Sequence, residues 1–484
     1  MPVFMALMQG ELRQIALSDF WWHLRQGQLI WSEGRVRTGD LFSFTTPGAF
    51  APTIQWLGDL YLYACYTLGG LELVILADAL VLALTAWLTL RAAREAGAGP
   101  RLAGLVTAAA VYVCVLPNGD ARPQLLGFPI FALWSLWLLR HRRGKPAPLW
   151  LIFPTAILWI NVNGTMAMGG LLLAGTLAGE WLAGRLGGRL GPGLPLGRLR
   201  APALALASLP LAVLVNPWGP DLYRYLAFYA YDATARQYIS EWRPLTTDSP
   251  MGIAFYAFLL LGVGVLALTP RRANLGDILL FLGFGALAIQ SGRNLVWFGI
   301  VAAPLVAGSA QSLAGLWPQP ADSGERPALN YALAGCLVVL GLLGLPWWRG
   351  SLPLPAGQRS LYGPDTPVAA VAYAAEHYAG ERFFHPYAYG GYIIWAAYGS
   401  LPVFIDGRYN HYVPAGVMDE YLRVSRGDDW ETILEKYGID HVLVTKDSGE
   451  DSPMKPLLKE LRRSPDWQQT YEDEHSFIFV REAG

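Results

Sequence analysis

The chain has 484 residues, 53% of them hydrophobic and 15% charged, with a mean hydropathy of +0.31. Soluble domains carry roughly 25% charged residues, so lipid replaces water over much of this surface. The net charge of −1 gives no electrostatic case for a nucleic-acid partner. The three cysteines, Cys65, Cys114 and Cys336, sit in or beside apolar stretches and form neither a zinc spacing nor a disulfide framework.

The first 18 residues are weakly apolar and carry Glu11 and Arg13. They are too short and too polar for a spanning helix, which needs about 20 apolar residues. Apolar segments then recur at about 69–90, 102–116, 124–139, 148–163, 166–184, 201–216, 251–269, 276–290, 294–316 and 328–346. This pattern predicts an α-helical polytopic membrane protein of about ten or eleven spans. One set of alternate loops holds 14 Lys/Arg, among them Arg91, Arg140, Arg142, Arg143, Arg185 and Arg198. The other set holds five: Arg122, Arg224, Arg236, Arg243 and Arg293. The positive-inside rule makes the first set cytoplasmic. Residues 19–68 and the tail from about 347 then lie outside the cytoplasmic (inner) membrane. Residues 1–18 are expected to be the remnant of a first spanning helix, or the start lies upstream. The expected domains are 1–346, transmembrane with an extracytoplasmic first loop 19–68, and 347–484, a soluble extracytoplasmic α/β domain.

In the tail, 366–379 has the Ala content and apolar period of a helix, and 401–406 and 441–445 are short β-branched runs. MDEYLRVS and WETILEKYG are amphipathic helices, the second closed by Gly438, and 475–481 alternates as a strand does.

The candidates for chemistry lie on the outer side. In Asp19-Phe20-Trp21-Trp22-His23-Leu24 the acid and the histidine are four apart and share a helix face. An acid beside interfacial tryptophans is placed to take a proton from a hydroxyl or to hold a metal. The same Asp, or Ser18, also reads as a helix cap. Asp120-Ala121-Arg122-Pro123-Gln124, Asn161-Val162-Asn163-Gly164, Asn216-Pro217-Trp218-Gly219, Glu241-Trp242-Arg243 and Arg293 each read singly as a cap, a turn or a snorkelling side chain. Together they put acids and arginines on one side of the membrane, which suits a phosphate-bearing ligand. In the tail, Gly390-Gly391-Tyr392 and Phe404-Ile405-Asp406-Gly407-Arg408 read equally as a binding site or as a tight turn with a local ion pair. No Walker loop, G-x-S-x-G, H-E-x-x-H or strand-linked G-x-G-x-x-G occurs, against a soluble nucleotide-sugar enzyme.

These motifs in this order resemble the bacterial integral-membrane glycosyltransferases of the GT-C superfamily, in the branch with D-x-W-W-H-L near the N-terminus and F-I-D-G-R in the tail. Asp40-Leu41-Phe42-Ser43-Phe44-Thr45 and Gln55-Trp56-Leu57 add to the likeness, which runs from about 19 to 480. The resemblance implies transfer of a sugar from a polyprenyl-phosphate carrier to a cell-envelope glycan, lipid or protein on the outer face, with inversion. It makes Asp19 the general base or the ligand of a divalent cation (Mg or Mn), with Glu241 as a second acid. It makes Arg122 and Arg293 ligands of the lipid phosphate and has His23 orient the acid or touch the phosphate. Asp406 and Arg408, just past the end of an expected strand, are the expected substrate-binding residues of the tail. Many superfamily members pair two acids in the first loop. Here Phe20 follows Asp19, so a second acid comes from elsewhere.

Two rival classes remain. A transporter or flippase of a lipid-linked or polar solute should place ionisable residues at mid-membrane, where this chain has only Asp78, with Glu180 near a cytoplasmic end. A non-catalytic assembly subunit would tolerate the loss of Asp19.

Overall fold

Long apolar segments satisfy their backbone groups within lipid as helices, and the computed structural model has a helix at each of the ten apolar segments. The structure describes residues 1–17, 19–186, 193–231, 242–269, 274–316, 327–446 and 454–482. Seven helices among them are long and apolar enough to cross a membrane: Trp56–Glu95, Pro100–Asn118, Met166–Arg185, Leu196–Val213, Pro250–Leu268, Gly292–Ala314 and Pro327–Gly344. Leu149–Val162 and Leu275–Gln290 are shorter, and Gly127–Arg142 is the tenth. Two of these shorter helices, Gly127–Arg142 and Leu149–Val162, carry four of the five residues of the inner aromatic cluster. A helix enclosed by protein need not match the thickness of the hydrocarbon layer. The N-terminal segment forms only the ten-residue helix Pro2–Glu11.

By its internal contacts the chain forms two compact units. One is Met1–Arg13 with Leu68–Pro353, and the other is Gln14–Thr67 with Leu354–Gly484. The first-loop segment therefore clusters with the C-terminal segment. The boundary between Thr67 and Leu68 falls inside the helix Trp56–Glu95, beside its break at Gly69 and Gly70. Gly70 has φ +68°, a left-handed value that a side chain would strain. The element is thus two helices joined at this pair, and the second begins where the expected span does.

The helical unit is built around Phe128, Phe131, Trp134, Trp159 and Trp297, all buried. Phe131 meets Trp297 and Trp134 meets Trp159 edge-on, with centroids 5.0 Å and 5.3 Å apart. At the end of the bundle where Gly127–Arg142 finishes, Arg142 Nε lies 2.6 Å from Glu180 and Nη1 2.5 Å from Asp277. Glu180 is thus paired, as a buried charge must be.

The other unit carries a four-stranded sheet, β1 (Phe383–Phe384), β2 (His441–Thr445), β3 (Trp467–Glu472) and β4 (Ser476–Arg481), in the order β1-β2-β4-β3. β1 and β2 are parallel, and the other pairs are antiparallel. β2 and β4 lie where the β-branched and alternating runs predict strands. So do the helices Val368–His377, Val417–Ser425 and Trp430–Tyr437, the last closed by Gly438 at φ +63°. Residues 401–406 differ from expectation. They form no strand, only one parallel bridge, Ser43 with Val403, because their partner is the first-loop segment and not the sheet.

Candidate functional site

Asp19 sits at the start of the helix Phe20–Glu33, yet its carboxylate makes no capping hydrogen bond to that helix. The capping role suggested by its position is therefore not the one its side chain plays. Trp22 Nε1 instead donates to Asp19 Oδ1 at 3.3 Å. The Trp22 ring lies on the His23 ring, centroids 3.6 Å apart. His23 Nδ1 is 2.6 Å from Asp59 Oδ1, with side-chain exposures of 4% and 0%. Trp21 is buried, stacked on Tyr362 and edge-on to Tyr392 of the Gly-Gly-Tyr motif. Most of the D-x-W-W-H-L pattern is thus packing that orients one half-buried acid.

Asp59 is a functional candidate that pattern reading missed. Its signal was an acid in the first turn of a long apolar helix, where a charge is costly and needs a reason. Its Oδ2 is buried and has no hydrogen-bond partner among the described residues.

Asp406 is fully buried. Its Oδ1 accepts from Arg408 N at 2.9 Å and Nε at 2.7 Å, and its Oδ2 accepts from Arg408 Nη2 at 2.5 Å and Tyr412 Oη at 2.7 Å. Arg408 Nη2 also lies 2.8 Å from Asp40 Oδ1, and His411 Nε2 is 3.7 Å from Asp40 Oδ2. Burial pushes the Asp406 carboxyl up, but the adjacent guanidinium and its hydrogen bonds outweigh this and hold it at about 2. His385 is buried, Phe404 N donates to its Nε2 at 3.0 Å, and burial pushes it down to about 4.

In the helical unit, Arg122 and Arg293 line one cavity of about 450 Å³ with Asn118, Asp120, Gln124, Arg243 and Asp248. Arg293 Nε and Nη2 both donate to Gln124 Oε1, at 2.9 and 2.6 Å, and its guanidinium lies 5.4 Å from the Trp242 ring centre. Asp120 is 3.0 Å from Arg13 and 4.0 Å from Arg122. Three arginines facing two acids leave the cavity short of negative charge, as a phosphate site should be. Glu241 lies outside the described residues. Asp19, His23, Asp406 and Arg408 belong to the sheet-bearing unit, and Arg122 and Arg293 to the helical one.

No family model matches the sequence, and no curated protein matches it. Its fold does resemble solved structures. An oligosaccharyltransferase of Archaeoglobus fulgidus, tethered to an acceptor peptide, matches 91% of this chain and 68% of its own at 12% identity, TM-score 0.54. ArnT from Cupriavidus metallidurans, bound to undecaprenyl phosphate, matches 100% and 96% at 12% identity, TM-score 0.51. The arabinofuranosyltransferase AftD from Mycobacteria matches 100% of this chain but 41% of its own at 16% identity, TM-score 0.56. The chain shares the fold of these solved structures, and seven of its described helices are long and apolar enough to cross a membrane.

Proposed function

We propose that the chain is a glycosyltransferase that moves a sugar from a polyprenyl-phosphate carrier to a cell-envelope glycan, lipid or protein, on the outer face of the inner membrane. The observation that carries this reading is the arginine-lined cavity of the helical unit. The fold supports it, and so does the undecaprenyl phosphate bound by ArnT. The uneven distribution of Lys and Arg between alternate loops supports the placement outside.

In this reading the acceptor hydroxyl gives its proton to Asp19 as its oxygen bonds to the anomeric carbon. The bond from that carbon to the phosphate oxygen breaks, and the electron pair leaves on the polyprenyl phosphate. Within the helical unit, Arg122 and Arg293 are the candidates to bind a phosphate group. A single displacement of this kind inverts the anomeric centre. Glu241 is the candidate second acid, and His23, held by Asp59, orients the helix turn that carries Asp19. A divalent cation at Asp19 would supply further positive charge at the phosphate. Among the described residues no group of three or more His, Cys, Asp or Glu is placed to hold one. Loss of transfer in EDTA, restored by Mg or Mn, is the outcome expected if a cation takes part.

The test is sugar transfer in proteoliposomes from a panel of radiolabelled polyprenyl-phosphate sugars, with wild type beside Asp19→Asn. Turnover of one donor by wild type and none by the variant is the expected result. Equal activity in both sinks the role of Asp19, and no turnover of any donor favours a transporter or an assembly subunit.

A further inference from the structure

Gly407, in the middle of the F-I-D-G-R motif, backs directly onto Asp19. A Cβ built there would overlap Asp19 Oδ1 and stand 3.1 Å from Trp22 Nε1 and 3.3 Å from Asp19 Cγ. The carboxylate is thus bounded by the Trp22 indole on its own helix and by the backbone of the 406–408 turn. Each boundary is fastened from behind. Trp22 is backed by the His23–Asp59 pair. The turn is held by Arg408 between Asp406 and Asp40, and by Tyr412 on Asp406.

The approach to the turn is fixed as well. Phe44 N donates to the Val403 carbonyl at 3.1 Å, Val403 N to that of Phe42 at 3.2 Å, and Thr45 Oγ1 to that of Phe404 at 2.7 Å. Asp40 in turn accepts from Phe42 N at 3.1 Å and Ser43 N at 3.2 Å. On the far side, a Cβ at Gly390 would overlap the Ile405 carbonyl oxygen and lie 2.9 Å from Asp406 Cα. Protein groups therefore fix this turn from three directions, and Asp406 has both oxygens committed to them. Such a carboxylate is poorly placed to meet a substrate, but well placed to make a backbone rigid where an acid must be held.

We infer that Gly407 is a positioning residue for Asp19, and that Asp406, Arg408 and Asp40 serve the reaction through this turn and not by touching substrate. The inference rests on the reading of Asp19 as the acid that takes the acceptor's proton. Gly407→Ala must move the carboxylate or the turn, and a misplacement of about 1 Å at a reacting group costs on the order of 100-fold in rate.

The experiment compares wild type, Gly407→Ala and Asp19→Asn in the proteoliposome transfer assay, with a melting curve for each. The expected result for Gly407→Ala is a kcat lower by about 100-fold, with the donor KM and the melting temperature close to those of wild type. A merely structural glycine would lower the melting temperature and leave kcat per folded molecule unchanged. The second measurement needs no activity. The double variant Asp19→Cys/Gly407→Cys should form a disulfide on mild oxidation and neither single variant should, because a bridge requires Cβ atoms about 3.5–4.5 Å apart. Wild-type kcat in Gly407→Ala beside an inactive Asp19→Asn overturns the positioning role alone, as does failure of the double variant to cross-link. Wild-type kcat in Asp19→Asn overturns the parent reading and the inference with it.

Discussion

Replacing Asp406 by Asn separates a residue that holds the fold from one that binds substrate. The side chain keeps its shape but loses its charge, and one acceptor oxygen becomes a donor. That donor faces Arg408 Nη2 and Tyr412 Oη, which now donate to Oδ2 at 2.5 and 2.7 Å. Arg408 keeps Asp40 at 2.8 Å, so its charge is not stranded. Removing one partner of a buried pair costs about 3–5 kcal/mol when nothing remains, so the lower end applies. Linkage gives a similar figure. The carboxyl is held at about 2 against an ordinary 3.8, which corresponds to about 2 kcal/mol of stability at neutral pH. A loss of about 2–3 kcal/mol in a unit of this size lowers the melting temperature by roughly 4–12 °C. The assay is thermal unfolding of the full chain in detergent, with limited proteolysis to report on the sheet-bearing unit. An unchanged melting curve together with a donor or acceptor KM raised tenfold or more would refute the reasoning, since Asp406 would then be contacting substrate.

Acid should weaken the same unit in two stages. The unfolded chain protonates His385 below about 6.5 while the folded chain resists until about 4, so stability falls by about 3 kcal/mol between those values. Asp406 follows between about 4 and about 2. His385→Gln should flatten the first stage of a denaturant-midpoint against pH series, and an unchanged slope would contradict it. In the helical unit, Arg293→Ala should raise the donor KM by about 10- to 100-fold, the loss of one charge-assisted phosphate contact. An unaltered KM would remove the cavity from the phosphate assignment. Arg142→Ala leaves Glu180 and Asp277 facing each other without their shared cation. It should destabilise the bundle by about 3–5 kcal/mol, while a joint change of all three to apolar residues should recover much of it. Finally, a cysteine introduced at the exposed Glu376 should react with an impermeant maleimide on intact cells stripped of their outer layers. Labelling only after lysis would reverse the proposed orientation.

Much of the architecture was legible because it is local. An apolar run must be a helix in lipid whatever surrounds it, so all ten segments carry helices near their expected bounds. The same holds for β2, for β4 and for the amphipathic helices of the tail, whose period alone sets the buried face. Residues 401–406 misled because a β-branched run announces an extended backbone without naming its partner. The partner proved to be Phe42–Phe44 through a single bridge, with Thr45 and Phe404 359 positions apart.

The site divides along the same line. Sequence by itself singled out Asp19, His23, Arg122, Arg293, Asp406 and Arg408, since charge in an apolar chain stands out wherever it occurs. It also carried the resemblance that leads to a lipid-linked sugar. Tertiary structure alone decided what most of these side chains do. It tied His23 to Asp59, set Arg293 on Gln124, closed Arg408 between Asp406 and Asp40, and brought Gly407 against Asp19. Periodicity and spacing reach only a few residues along a helix or strand, whereas each of these pairings depends on where distant segments come to rest, and that is decided by packing.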